Sequence, residues 1–288
     1  MLGSSIMLAR THHNLYGTFL NEKPHSDKMI ELDITEKTGV EKIIYDMNPD
    51  AIIHTAAITD VDLCEEKPNL AKKVHVEGTR NLVEIAKDLG IYFLYISTDS
   101  VFDGLIGNYN ENDSPNPLNV YAKTKYEGEI ETSKYNNSSI VRVNIYGYNW
   151  LPKQSIAEWI LNSLRKNIPI KLFTNVYFSP ILVNHLTEFL FKIVEQKLTG
   201  IYHVSSPEGI TKFEFGNLIA KIYNLNKKLI IPSSIADQNL KAPRPLKPTL
   251  NCSKIQSVLR KNLLNVEEGL QYFKKLETSG YLDKLRNL

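Results

Sequence analysis

With 288 residues, 42% of them hydrophobic and 23% charged, the chain can build a full core and is not a disordered segment. A net charge of only +2 gives no reason to expect nucleic acid or a membrane surface as partner, no apolar run reaches membrane-spanning length, and no signal peptide is visible. The two cysteines, Cys64 and Cys252, are far apart and lack metal-ligand spacing, so they read as reduced thiols of a cytoplasmic protein, and no metal site is expected.

Residues 1–10 read as a short helix, with Gly3 and Ser4 ahead of an apolar turn, and residues 13–20 as a short strand. A dinucleotide-binding chain normally starts with a buried strand and a glycine-rich turn that delivers pyrophosphate to a helix N-terminus. Only the last glycine of such a turn is present here, as Gly3. Two readings follow: the natural protein starts further upstream, or it starts here with damaged or lost cofactor affinity. After that strand, Glu22 and Lys23 pull in opposite directions, because an acidic residue suits the ribose 2′-hydroxyl of NAD and a basic one the 2′-phosphate of NADP.

Residues 30–34 form another short strand ending in Asp33, a plausible cap for a helix over residues 35–45. Residues 49–57 read as a buried strand running into Ala56 and Ala57, small enough for tight packing or for close approach of a ligand. His54 and His75 read as packing or surface histidines, without ligand partners in view.

Chemistry concentrates between residues 91 and 125. The apolar, aromatic run at 91–96 predicts a strand buried on both faces, delivering Ser97, Thr98 and Asp99 to its C-terminal end, where ligands bind in open α/β sheets. A loop marked by glycine and proline follows, and Tyr121 then opens a helix that carries Lys125 four residues on, on the same face. A phenol titrates near 10 in water, too high for an efficient acid near neutral pH, and a fixed cation would lower it. With Thr98 holding a carbonyl oxygen in line with the Tyr121 proton, the three predict a ketone-reduction site. Spacing alone is weak evidence, since Tyr223 and Lys227 repeat it without a strand-borne serine or threonine ahead of them.

Further strands are expected at residues 138–147, 168–173 and 177–181, with the final one at 200–205. Helices are expected at 156–165, 183–196 and 211–223, the last capped by Thr211. Residues 242–249 form a proline-stiffened segment containing Arg244, readable as a ligand contact or as a surface linker, and residues 253–288 read as capping helices. The alternation predicts an α/β fold: a doubly wound parallel sheet with helices on both faces and a smaller C-terminal lobe. The expected division is 1–147 with roughly 181–205, against 148–180 with 206–288.

The runs STDSVFDG (97–104), PLNVYAKTKYEGE (117–129) and APRPLKPTLNCSK (242–254) resemble the extended short-chain dehydrogenase/reductases, and within them the dTDP-4-dehydrorhamnose reductase branch. The likeness spans nearly the whole chain and implies a Rossmann-like domain that reduces a 4-keto nucleotide sugar with NADPH or NADH. It implies about ten more residues upstream, holding the first strand and two glycines. It also implies cofactor contacts at Met1, Leu2, Gly3, Asp33, Ile34, Ala56, Ala57, Ile58, Tyr121 and Lys125. Tyr121 would be the acid, Lys125 would hold the nicotinamide ribose, and Thr98 and Asp99 would meet the sugar. Arg244 would be a candidate for the diphosphate. The bacterial enzymes place a tryptophan against the sugar where this chain has Ile145, so Trp150 is either a substitute from the next loop or plain core. The same branch contains the beta subunit of methionine adenosyltransferase, a partner protein, so a regulatory subunit is a rival reading, and a nucleotide-sugar epimerase is another. A homodimer is compatible with the sequence.

Overall fold

The computed structural model describes residues 1–150 and 153–288. Its centre is a four-stranded parallel sheet built from β3 (Ala51–His54), β4 (Tyr92–Thr98), β5 (Ser138–Val143) and β10 (Gly200–His203), in the order β10-β5-β4-β3. One row across it reads Ile53, Leu94, Ser139, Gly200. A second parallel pair, β1 (Gly17–Phe19) with β2 (Met29–Glu31), forms its own two-stranded sheet.

Period-two alternation sorts the side chains of β4 onto two cores. Phe93 and Tyr95 face a cluster with Val40, Ile44, Leu82, Val83 and Ile85, supplied by α2 (Lys37–Met47) and α5 (Gly78–Asp88). Tyr92 and Leu94 face the opposite cluster, with Leu2 and Ile6 of α1 (Leu2–Met7) and Val183, Leu186 and Phe189 of α8 (Val183–Glu195). Helices therefore cover both faces, as expected for a doubly wound sheet. Between β3 and α5 run α3 (Val61–Glu66), α4 (Pro68–Lys72) and a π-helical turn, Lys73–Glu77. After β4 comes α6 (Val120–Ser133).

A third cluster gathers Tyr146, Tyr148, Leu161, Leu172, Phe178, Phe215, Ile230, Leu270 and Phe273. It is assembled by α7 (Ile156–Arg165), α9 (Lys212–Tyr223) and α11 (Val266–Thr278), with the short strands β6 (Ile145–Tyr146), β7 (Ile170–Phe173), β8 (Tyr177–Phe178) and β9 (Ile181–Leu182). Capping boxes, Ser155 with Glu158 and Thr211 with Glu214, start α7 and α9 where the sequence places them. α10 (Ser253–Leu259) and α12 (Tyr281–Arg286) complete the tail.

Two expectations change. The strand at 200–203 is not the last, because β11 (Ile210–Thr211) pairs with β8 and β12 (Ile230–Ser233) with β7. Asp33 does not cap α2; its Oδ1 accepts from the Thr35 amide at 2.9 Å and the Thr35 hydroxyl at 2.8 Å, closing a local turn, and Glu36 precedes the helix. Among the described residues, no helix is long and apolar enough to cross a membrane.

Candidate active site

β4 and α6 build the site together. Asn119 caps α6, its Oδ1 accepting from the Ala122 amide at 2.9 Å, which sets Tyr121 in the first turn above the C-terminal end of β4. Tyr121 is half-buried, and burial pushes its phenol up to about 12; the Thr98 hydroxyl lowers it in part, while the charge of Asp99 adds to the rise. The edge of the His75 ring meets the Tyr121 ring, centroids 5.8 Å apart.

Lys125 is 3% exposed. Its Nζ donates to the Ile96 carbonyl at 2.7 Å and lies 4.0 Å from the centre of the Tyr95 ring. Burial brings this amine down to about 7, against the pull of Glu129. The structure differs here from the sequence expectation. Both residues sit on the expected stretch of α6, yet the phenol is raised rather than lowered, and the groups acting on it are burial, Thr98, Asp99 and Cys64.

Beneath these residues lies a layer that the sequence did not disclose. His75 sits in the π turn, 1% exposed; its Nε2 accepts from the Ile58 amide at 2.9 Å, so Nδ1 carries the proton and donates to Thr124 Oγ1 at 2.8 Å. Burial first, then Lys125, hold this imidazole down at about 3, so it stays neutral and ties α6 to the loop after β3. His54 is buried likewise against Thr79. One turn past Lys125, Glu129 accepts from Arg142 of β5 at 2.7 and 2.9 Å and from the Ser97 hydroxyl, all three groups buried.

Asp99 is buried, and its Oδ2 accepts from Asn144 Nδ2 at 2.7 Å while Oδ1 accepts from Thr98 and Ser100. Burial raises its carboxyl above the usual range. Lys212, the first residue of α9, feels that carboxylate; burial nonetheless brings its amine down to about 7, and its Nζ lies against the Phe178 ring. A cation at a helix N-terminus opposes the dipole. That misfit was the one sequence signal that marks Lys212, and it is visible only once the Thr211 cap is recognised.

Of the residues expected at a dinucleotide, Asp33 and Ile34 follow β2, Ala56, Ala57 and Ile58 follow β3, and Met1, Leu2 and Gly3 begin the chain at α1. A Cβ on Gly3 would come 3.3 Å from Thr55 Oγ1, so the start of α1 abuts the loop after β3. Ala56 is exposed and Ala57 and Ile58 are half-buried in that loop, while Asp33 is half-buried after β2. Met1 and Leu2 contribute to the core under α8. Ile34 is buried, with its side chain in the core beside α5. Ala56 and Ala57, with Gly3 at their side, present little side-chain bulk at the loop after β3, and α6 carries Tyr121 and Lys125 beside the neighbouring strand. A bound dinucleotide would be held in part by these residues; of the glycine turn that seats a pyrophosphate, this chain carries Gly3 alone.

Comparison with known proteins decides the family. The family model described as RmlD substrate binding domain matches residues 2–278. The chain belongs to that family. A solved dTDP-4-dehydrorhamnose reductase from Bacillus anthracis, in complex with NADP, is 28% identical with a TM-score of 0.81, covering 86% of this chain and 89% of that one. Among curated proteins, the probable low-salt glycan biosynthesis reductase Agl14 of Haloferax volcanii is 28% identical over 94% of this chain and 93% of its own length. The methionine adenosyltransferase 2 subunit beta of Xenopus laevis is 32% identical over 79% of this chain and 70% of its own length.

Within this RmlD-family chain the remaining expectations fall unevenly. Thr98 and Asp99 act on the Tyr121 phenol, while Lys125, one turn on, is held against β4 by the Ile96 carbonyl. Trp150 is half-buried and packs against the C-terminal cluster of Tyr146 and Phe273. Arg244 donates to Asp62 Oδ1 at 3.0 Å and to the Ala242 carbonyl at 2.9 Å, so its charge is already paired with α3. The second tyrosine–lysine pair breaks apart: Tyr223 ends α9 beside Tyr148 and Phe273, and Asn224 turns left-handed before Lys227.

Proposed function

We propose that this protein is an NAD(P)H-dependent oxidoreductase that reduces a 4-keto nucleotide sugar, dTDP-4-dehydro-L-rhamnose giving dTDP-L-rhamnose. The observation that carries the reading is the Thr98 hydroxyl acting on the Tyr121 phenol, with Lys125 one turn further along α6. The NADP complex of the Bacillus anthracis reductase supports the cofactor, with NADPH as the reductant we assign and NADH as the alternative.

Bound reduced nicotinamide supplies the hydride. The Thr98 hydroxyl orients the C4 carbonyl oxygen, and Tyr121 gives that oxygen its proton. A phenol near 12 stays protonated at neutral pH and is still more acidic than the sugar alcohol it helps to form. Lys125, held under Tyr95, carries hydrogen-bonding capacity to the nicotinamide ribose, and Asp99 meets the sugar. In this reading residues 1–147 with roughly 181–205 form the cofactor side and residues 148–180 with 206–288 the substrate side, although Tyr146 and Leu182 join the third cluster and Cys252, Ile255 and Leu263 pack on the sheet.

The test is oxidation of NADPH in the presence of a dTDP-4-keto-6-deoxy sugar. Tyr121→Phe is expected to cut kcat by about 100- to 10,000-fold while leaving thermal unfolding unchanged. A second reading, a regulatory subunit, draws on the 32% identity with the methionine adenosyltransferase partner. A folded protein that turns over no keto sugar, yet binds a methionine adenosyltransferase catalytic subunit, would replace the first reading with the second.

A further inference from the structure

The C-terminal edge of the sheet holds the proposed active site. A different cluster lies beside the opposite edge, where the chain leaves α1 and where α8 ends. His12 and His13 follow α1 in sequence, and Glu195 is the last residue of α8. His13 Nε2 is 3.0 Å from Glu195 Oε1, the His12 and His13 rings are 4.1 Å apart between centroids, and one donor atom from each of the three residues lies within 4.8 Å of the others. The His13 ring is further placed by Phe191 of α8, 5.5 Å away between centroids.

A hydrogen bond between His13 and Glu195 would need no third residue. The second imidazole converging on the pair does not help that bond, whereas it completes a coordination set. Donors bonded to zinc at about 2.0–2.1 Å sit roughly 3.4 Å apart in a tetrahedral shell. The His13–Glu195 separation is already close to that, and His12 is exposed, so its side chain is free to swing the remaining ångström or so. Two imidazoles with one carboxylate select zinc, nickel or copper over magnesium and calcium, which take oxygen donors. His12 and Glu195 also line a cavity of ≈ 600 Å³ between α1, α8 and α12, which leaves space for a water in the fourth position.

We propose that His12, His13 and Glu195 bind one zinc-class divalent cation, which fastens the link between α1 and β1 to the end of α8. The two helices are already in contact, Thr187 Oγ1 donating to Ser5 Oγ at 3.2 Å and Leu2 and Ile6 packing on Val183 and Leu186. A cation at their far end would close the same joint from the other side. This site does not depend on the reductase reading.

The experiment is calorimetric titration of the metal-free, full chain with zinc chloride, with cobalt chloride as the spectroscopic probe. Expected are one zinc per chain, a visible cobalt spectrum of low-symmetry N/O coordination, and a Tm rise of about 5 °C at about 100 times Kd. Glu195→Gln keeps the size and hydrogen-bonding ability of the side chain and is expected to weaken zinc at least about 10-fold, as is His13→Ala; His25→Ala, at an exposed histidine elsewhere, is expected to leave it unchanged. Absence of stoichiometric binding, or binding that survives both substitutions, would overturn the proposal.

Discussion

Lys125 meets two opposing demands. Chemistry asks it to present an amine to the cofactor side of Tyr121, yet the fold buries it at 3% exposure under an aromatic ring. Burial lowers its pKa from the ordinary lysine value of 10.5 to about 7. Between those two values the unfolded chain binds the proton more readily than the folded one, so this group's contribution to stability rises with pH. Its burden is full below about pH 7 and is relieved as pH climbs toward 10.5. Lys125→Met is therefore expected to raise Tm below about pH 7, by roughly 5 °C, with the gain shrinking steadily at higher pH. Turnover would be lost in the same variant. Equal Tm values for the two proteins across that range, measured by calorimetry, would count against a buried and costly amine. His75, neutral at about 3, adds no such pH dependence near neutrality and acts through its two hydrogen bonds.

Among the elements, α6 is the one whose placement has least slack. Gly128 lets it lie directly on β4 and on the π turn: a Cβ there would come 2.7 Å from the His75 carbonyl oxygen and would also collide with the Tyr95 hydroxyl. Gly128→Ala is expected to destabilise the fold by about 1–3 kcal/mol in urea titration and to lower kcat in the surviving fraction, because the shift displaces Tyr121 and Lys125 together. A stable variant with normal kcat would show that α6 can back away without harm. The long elements were legible in the sequence. The 91–96 run, the helical pattern over 156–165 and 183–196, and the Thr211 cap of α9 each carry a local signal strong enough to survive packing. β11 and β12 were not legible, since two- and four-residue strands are made by their partners β8 and β7 rather than by their own pattern. The site divided in the same way. Tyr121, Lys125 and Thr98 were marked by local spacing, while the effects of Lys212, Asn144 and His75 depend on contacts across the fold that no local spacing encodes.

At the scale of the whole molecule, the segment after β12 is a strap tied to α3, to the cap of α6 and to the loop after β4. Its Ala242 amide donates to Asp62 at 3.1 Å, Lys241 pairs with Glu66, the Pro243 carbonyl accepts from Asn119, and the Lys247 amide donates to the Gly104 carbonyl at 3.0 Å. Prolines and cations announced such a segment, but Asp62 lies 182 residues from Arg244, so their pairing could be known only from the fold. That pairing gives two views of Arg244 that can be separated. If the guanidinium is a diphosphate contact, Asp62 competes for it, and Asp62→Asn removes the competing charge while its amide oxygen still accepts from Ala242. The nucleotide-sugar KM is then expected to fall in Asp62→Asn and to rise about 10-fold or more in Arg244→Ala, with kcat changed far less in each. If Arg244 only ties the strap to α3, both substitutions loosen the same joint, and KM rises in both. Steady-state KM of the two variants, measured with one sugar and saturating NADPH, separates the outcomes, and we expect the opposite signs.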